Sequence, residues 1–326
     1  MMRWLQTYTG FFRRVRLFHF IYNLFHRKGL EHNRRLYPAF GINKSVYRSI
    51  SSKDFKGKQA KLPWLDYPVS KNEITIQPEC QSINQKTIET VTGWYDNGYI
   101  ILEKFFDTET IDHINQSIDS LVQAEKIRFN YTGRKIFNAF EYSAIIKSVI
   151  NNKKLLELLT FILGRTVFPF QTINFQYGSE QRAHSDSVHM TTFPKGYLIA
   201  VWIALEDISE DAGPIFYYPG SHHLPYLTNE DYGADNNFFL LDGHANKKYE
   251  DKVAELIREK NYQRQTFLAK KGDIFIWHAN LVHGGMQVNN KKPTRKSMVV
   301  HYFAEDVICY HEISERPAII KRDEGK

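Results

Sequence analysis

The chain has 326 residues, 42% hydrophobic and 24% charged, with 23 Phe and 19 Tyr, a composition that supports a large buried core and excludes a disordered chain. Cys80 and Cys309 are its only cysteines, which excludes a disulfide framework or a thiolate-rich metal cluster and points to a reducing cytoplasm. The net charge of +7 is uneven: residues 1–60 carry thirteen Lys or Arg against Glu31 and Asp54, an excess of +11, and the remainder is mildly acidic.

The basic end contains 11-FFRRVRLFHFIYNLFHRKG-29. On a helix, Arg16, His19, Asn23 and His26 fall together, while Phe11, Val15, Phe18, Ile21, Tyr22 and Phe25 fill a broad apolar arc. Arg13, Arg14 and Arg16 interrupt the run long before it could span a bilayer, and it lacks the apolar core and cleavage site of a secretory signal. Two readings stand side by side: a helix docked on the folded body, or residues 1–29 resting on anionic lipid as a peripheral membrane contact. The acidic remainder shows neither zinc-finger spacing nor a Gly-rich RNA-binding motif, so no nucleic-acid partner is expected. Residues 30–85 mix Pro, Gly, Ser and Lys without clear period and read as an extended arm, giving an N-terminal region 1–85 and a main domain 86–326.

The main domain opens with a short helix over Thr87–Thr92, a turn at 96-DNG-98 and a strand at 99-YIILEKFF-106. Asp107 predicts an N-cap with Thr110 at N3, and Ile111, Ile114, Ile118 and Leu121 then recur at helical spacing. A second helix is predicted over 152-NKKLLELLTFIL-163. From Phe168 onward the pattern changes to short strands, at 168–178, 197–205, 214–220, 272–278 and 296–303, separated by turns such as 210-EDAG-213. Without alternating long helices, this is a mainly-β sandwich or barrel of antiparallel strands with helices outside. The one large helical candidate in this half, 247–261, belongs to an insertion around 226–265, which together with 214-PIFYYPG-220 is expected to border the opening of a site.

In 182-RAHSDSVHM-190, His184 and Asp186 lie two residues apart, and on a strand such side chains share a face. The segment 278-HANLVHGG-285 supplies a third donor, His283, before a Gly pair that allows a tight turn. Two imidazoles and one carboxylate leave up to three open positions on an octahedral ion, a mix suited to non-haem Fe(II), although four-coordinate zinc accepts the same donors. Arg295 lies twelve residues beyond His283, across the turn 289-NNKKP-293; a hairpin returning 296–303 beside 272–277 would place it to grip a diacid, with Lys296 pointing the other way. His189 reads either as a solvated strand-end residue or as a supporting or substrate contact of the site, His222 and His223 as supports of a turn at the rim, and His278 as a packed or hydrogen-bonded histidine.

At these residues the sequence resembles the phytanoyl-CoA dioxygenase family of Fe(II)- and 2-oxoglutarate-dependent oxygenases. The resemblance rests on 184-HSD-186, 197-YLIAVWIALEDI-208, 213-GPIFYYPGSHHLP-225, 272-GDIFIWHANLVHGG-285 and 295-RKSMVVHYF-303, in the family's order across roughly residues 90 to 305. It implies a double-stranded β-helix, the cupin-like jelly roll, with His184, Asp186 and His283 as the iron ligands and Arg295 as the anchor of 2-oxoglutarate. It also implies Trp202 as a wall of the cosubstrate pocket and Asn174 as a contact to the keto acid. With Asp186 present as a third ligand, the implied reaction is hydroxylation of an unactivated C–H bond using O2, with release of succinate and CO2. The substrate class stays open between a small metabolite and a lipid-like molecule, and the family does not fix a CoA thioester. A zinc enzyme with the same ligands, or a non-catalytic β-sandwich that binds a lipid or glycan, are the competing readings.

Overall fold

The computed structural model describes residues 14–75, 85–130, 133–290 and 292–321, so Phe11, Arg13 and Cys80 lie outside the described residues. The helices are α1 (Arg16–Phe25), α2 (Asn33–Ala39), α3 (Lys71–Thr75), α4 (Gln85–Val91), α5 (Trp94–Asn97), α6 (Thr108–Gln123), α7 (Ala144–Ile150), α8 (Lys153–Leu163) and α9 (Ala245–Glu259). The strands are β1 (Tyr99–Leu102), β2 (Lys135–Phe137), β3 (Val167–Phe175), β4 (Thr191–Phe193), β5 (Leu198–Ala204) and β6 (Ile215–Tyr217). They continue with β7 (Gln265–Phe267), β8 (Ile274–His278), β9 (His283–Gly285), β10 (Ser297–Ala304), β11 (Ile308–His311) and β12 (Arg316–Pro317).

All strand pairs are antiparallel. Six strands form one sheet in the order β1, β8, β5, β10, β3, β2; two smaller sheets, β12-β11-β4 and β7-β6-β9, form the opposing layer of a double-stranded β-helix. The run 197–205 is apolar without alternation because β5 is buried on both faces. Ala200, Trp202 and Ala204 pack between the sheets with Phe275, Trp277 and Val299, while Ile199, Val201 and Ile203 pack outward against the helical layer. That layer consists of α6, α7 and α8, whose Ile111, Ile114, Ile146, Ile150, Leu155, Leu159 and Ile162 share the core with β5, β8 and β10.

Local chemistry sets the helix boundaries. The Asp107 Oδ1 accepts the Thr110 N–H at 2.7 Å and starts α6 as predicted. Asn152 Oδ1 accepts the Leu155 N–H at 3.1 Å to start α8, which ends at Gly164 in the left-handed region, φ 66°.

Two expectations need correction. The stretch read as an extended arm wrapped over the domain does pack on it but is not extended throughout: it contains α2, and its Leu30, Leu36, Tyr37, Ile50 and Phe55 build a core against Phe193, Ile308 and Tyr310 of β4 and β11. The strand 296–303 does not return beside 272–277: β10 lies between β5 and β3, and β8 is on the far side of β5. The basic helix docks on the folded body, one of its two readings, with α1 turning its polar side inward, burying His19 and Asn23 and leaving its apolar side in solvent. Among the described residues, no helix is long and apolar enough to cross a membrane.

Replacing Asp107 by Ala removes one cap from a helix that is otherwise unchanged, and is expected to cost about 1 kcal/mol. Urea unfolding would check this; an unshifted midpoint would mean that the cap is idle.

Candidate metal centre

Residues 184 and 283, nearly one hundred positions apart, form a reciprocal backbone pair: His184 N–H donates to His283 O at 3.0 Å and His283 N–H to His184 O at 2.9 Å. Directly opposed residues of an antiparallel pair carry neighbouring side chains, and the two imidazoles stand with ring centroids 4.5 Å apart. Asp186 joins them from the turn that follows His184. One ligand atom from each of His184, Asp186 and His283 lies within 4.8 Å of the others, and all three residues are buried.

The surroundings decide which atom each group offers. His184 Nδ1 is 2.8 Å from the Arg182 carbonyl and His283 Nδ1 is 3.0 Å from the Leu281 carbonyl, so in each ring Nδ1 carries the proton and Nε2 keeps its lone pair. Asp186 Oδ2 accepts the Trp277 indole N–H at 2.8 Å and lies 3.5 Å from His301 Nε2. Its other oxygen, Oδ1, sits 4.0 Å from His184 Nε2 and 3.9 Å from His283 Nε2, too far for a hydrogen bond and spaced to leave room for an ion. Burial pushes the His184 imidazole down to about 3 and lowers that of His283. Burial alone would raise the Asp186 carboxyl, but His283, His301 and His184 together hold it below the usual carboxylate range. Two neutral nitrogens and one carboxylate are the protonation states that a divalent cation needs, so the residues present fit a non-haem iron.

The turn between the ligands is fixed from behind. Ser185 N–H donates to Tyr249 Oη of α9 at 2.8 Å, Ser187 Oγ donates to Asn280 Oδ1 at 2.8 Å, and Ser187 N–H donates to the Ala279 carbonyl at 2.9 Å. The Gly pair after His283 serves close approach rather than a turn, because a side chain at Gly284 would strike the Phe216 ring and the Gln181 carbonyl.

A cavity of about 670 Å³ between the sheets contains the three ligand residues together with Trp202 and Arg295. Arg295 is 3% exposed and stacks its guanidinium 5.3 Å from the Trp202 ring and 5.8 Å from the Phe175 ring. Its Nη1 donates to Ser297 Oγ at 2.9 Å, and among the described residues Nε has no partner. Burial pushes it down to about 10, partly offset by Glu206, whose own oxygens accept from Thr294 and the Lys296 N–H. A buried arginine without a carboxylate of its own is a site for a ligand anion.

The sequence pattern of the phytanoyl-CoA dioxygenase (PhyH) family matches residues 94–297. The chain belongs to this family. PhyH relatives include phytanoyl-CoA dioxygenase domain-containing protein 1 of Danio rerio, 26% identical over 151 residues that cover 44% of this chain and 47% of that protein. The peroxisomal phytanoyl-CoA dioxygenase of Homo sapiens is 28% identical over 137 residues, covering 41% of this chain and 36% of that one. The chain thus spans about half or less of the length of these two relatives. Among solved structures, EctD from S. alaskensis with 2-oxoglutarate and 5-hydroxyectoine matches with a TM-score of 0.58 at 18% identity, over 83% of this chain and 94% of EctD. The non-heme alpha ketoglutarate dependent carbocyclase SnoK from nogalamycin biosynthesis matches with a TM-score of 0.56 at 13% identity, over 75% of this chain and 96% of SnoK. At these identities the likeness speaks for the jelly-roll fold.

Within this PhyH chain, the cavity unites His184, Asp186, His283, Trp202 and Arg295 but not Asn174. Ile173 and Phe175 face the cavity, so the intervening Asn174 faces the opposite way, into a small recess with Asn115, Asp119 and Lys296. Lys296 does point away as expected, to Asp119 of α6 at 3.3 Å. Of the two readings of His189, the structure agrees with the one that joins it to the site: it lines the cavity, its ring 5.3 Å from that of His311. His222 stands away from the rim, its Nε2 2.9 Å from the Tyr95 carbonyl and its ring against Gly98. His278 is hydrogen-bonded as expected, with Nε2 3.1 Å from Asp66 Oδ2.

The insertion and the segment 214–220 do not line the cavity, apart from Ile215; its wall includes Tyr22 of α1, Phe137 of β2, Ser314 and residues 316–319. The reasoning from sequence also missed Trp277, His301, Lys135 and Gln181. A period of two from Arg295 through Ser297 and Val299 reaches His301, so that signal was present; Lys135 and Gln181 carried none. Lys135 Nζ donates to Gln181 Oε1 at 3.2 Å, and the Gln181 amide in turn donates to His184 Nε2 at 3.0 Å.

Trp277→Phe keeps the packing and removes the N–H that orients Asp186. It is expected to weaken Fe(II) binding by about 10- to 100-fold, as losses of groups supporting a ligand do. Anaerobic metal titration measures this, and equal affinities would show that the indole does not orient the carboxylate.

Proposed function

We propose that the protein is an Fe(II)- and 2-oxoglutarate-dependent dioxygenase that hydroxylates an unactivated C–H bond of a small or amphiphilic metabolite, releasing succinate and CO2. The observation that carries this reading is the joint occupancy of one cavity by three convergent metal donors and a buried arginine that lacks an acid partner. Iron held by His184, Asp186 and His283 would supply the activation of O2 and the oxidative decarboxylation of 2-oxoglutarate.

The protein's own groups do the rest. Arg295 offers its guanidinium to the far carboxylate of the keto acid, in a setting dry enough to make that pair strong. Trp202 forms the wall beside it and holds the guanidinium plane by stacking. Trp277 and His301 occupy one oxygen of Asp186 and so direct the other toward the metal. The enclosing sheets keep bulk water from the reacting centre.

The zinc reading accounts for the three donors but gives Arg295 no task, and a buried cation without an anion is costly. A module that only binds a lipid or glycan needs neither the neutral histidines nor the clamped carboxylate. The substrate class is drawn from the walls beyond the metal, where Phe137, Phe170, Met190 and Phe303 supply apolar surface and His189 and His311 supply polar groups. That mixture suits a molecule with an apolar body and a polar end.

Purified protein with Fe(II), ascorbate and 2-oxoglutarate is expected to form succinate slowly even without its substrate. Complete absence of succinate across pH, with zinc retained from expression, would favour a different metal enzyme. Arg295→Ala is expected to weaken 2-oxoglutarate binding by about 100-fold, the cost of a two-pronged charge-assisted pair, while Fe(II) affinity stays as in the wild type. Titration of the metal-to-ligand absorbance band under anaerobic conditions reads both constants, and unchanged 2-oxoglutarate affinity would reject the assignment.

A further inference from the structure

Helix α1 is reversed relative to an ordinary surface helix, which turns its apolar stripe to the core. Its buried side chains are His19 and Asn23, and Asn23 Nδ2 donates to the Tyr47 carbonyl at 2.9 Å. Leu17, Ile21, Leu24 and Phe25 face solvent, with Phe25 83% exposed and Leu17 62%. A second apolar element is fastened beside them. Arg16 N–H donates to the Phe239 carbonyl at 3.0 Å and Leu241 N–H to the Arg14 carbonyl at 2.9 Å, which holds the 82% exposed Phe238 and the 72% exposed Phe239 next to the start of the helix.

The arginines within this segment are spent on the clasp. Arg14 Nε donates to the Leu241 carbonyl, Arg16 Nε donates to the Asn237 carbonyl, and Arg16 Nη1 pairs with Glu315 at 2.6 Å. Positive charge appears instead at the other end of the stripe. There an open recess of about 800 Å³ is lined by Phe25, His26, Arg27 and Lys28 along with Glu31 and with Lys321, which pairs with Glu141 at 3.0 Å. The recess and the catalytic cavity share Ile319, and Tyr22 of α1 lines the cavity while being 45% exposed.

We infer that this face docks the protein on an anionic lipid bilayer, with the mouth of the catalytic cavity beside the lipid surface. The exposed stripe and the two phenylalanines enter the acyl boundary, and the cationic recess receives phosphate headgroups. Large apolar side chains held in water are costly without a place to insert. A stripe that ends among Lys and Arg is the arrangement by which interfacial helices bind anionic membranes. The excess of +11 over residues 1–60 gives the same end of the chain the complementary charge.

The test is co-sedimentation of the full chain with phosphatidylcholine vesicles, with and without phosphatidylserine, in the absence of iron and 2-oxoglutarate. Its result is therefore independent of the dioxygenase reading. The wild type is expected to sediment with the phosphatidylserine vesicles and to be released in part by salt. Phe25→Ser/Phe238→Ser, at exposed positions and with an unchanged melting temperature, is expected to lower partitioning at least about ten-fold. Arg27→Glu is expected to weaken binding to the anionic vesicles alone. Wild-type protein that stays in the supernatant with both vesicles, or a double variant that sediments as the wild type does, would overturn the inference. So would a lipid-free dimer in analytical ultracentrifugation that the double variant dissolves, because the face would then be a protein interface.

Discussion

The antiparallel backbone pair between residues 184 and 283 is the constraint on which the centre depends. It joins the segment after β3 to the segment after β8, and it does so with two hydrogen bonds that fix distance and direction together. Because opposed residues in such a pair project side by side, the pairing alone makes the two imidazoles neighbours. The surrounding contacts then refine a geometry that already exists: two backbone carbonyls choose the ring tautomers, and the Tyr249 and Asn280 side chains seat the serines on either side of Asp186. The insertion that carries Tyr249 acts as a brace behind the ligands, and its α9 packs Tyr249, Val253 and Ile257 against Val188 and Val282.

Electrostatics in the cavity follow from burial with unequal compensation. The imidazoles lose solvent and stay neutral, whereas Asp186 loses solvent yet stays charged because an indole N–H and nearby imidazoles favour its anion. Among the described residues, Arg295 is in contact with aromatic faces and one hydroxyl but with no carboxylate, so its charge suits an anion from outside the chain. The same interior therefore asks for a cation at one place and for an anion at another, which together describe a metal with a chelating acid.

Much of this was legible in the sequence. The β-rich second half, the cap at Asp107 and the three candidate metal donors follow from alternation, capping chemistry and donor type. What failed had specific causes. The hairpin placing 296–303 beside 272–277 assumed that successive strands pair, while a jelly roll passes them between layers, so Arg295 reaches the cavity from a strand flanked by β5 and β3. Asn174 failed by parity, since a shift of one residue moves a side chain to the other face of a sheet. Three-residue strands such as β2, β4 and β9 are too short to show a period, which hid Lys135. The inward polar side of α1 was unreadable because amphipathicity identifies two faces without saying which one meets the body.

The contact between Gln181 and His184 bears on how the centre is filled. With Nδ1 protonated, the lone pair of the His184 Nε2 receives the Gln181 amide, whose carbonyl is held in turn by Lys135, so these two side chains act on the atom that a metal would take. A metal held at that nitrogen would require the Gln181 amide to turn aside, which makes a single glutamine side chain the gatekeeper of one coordination position.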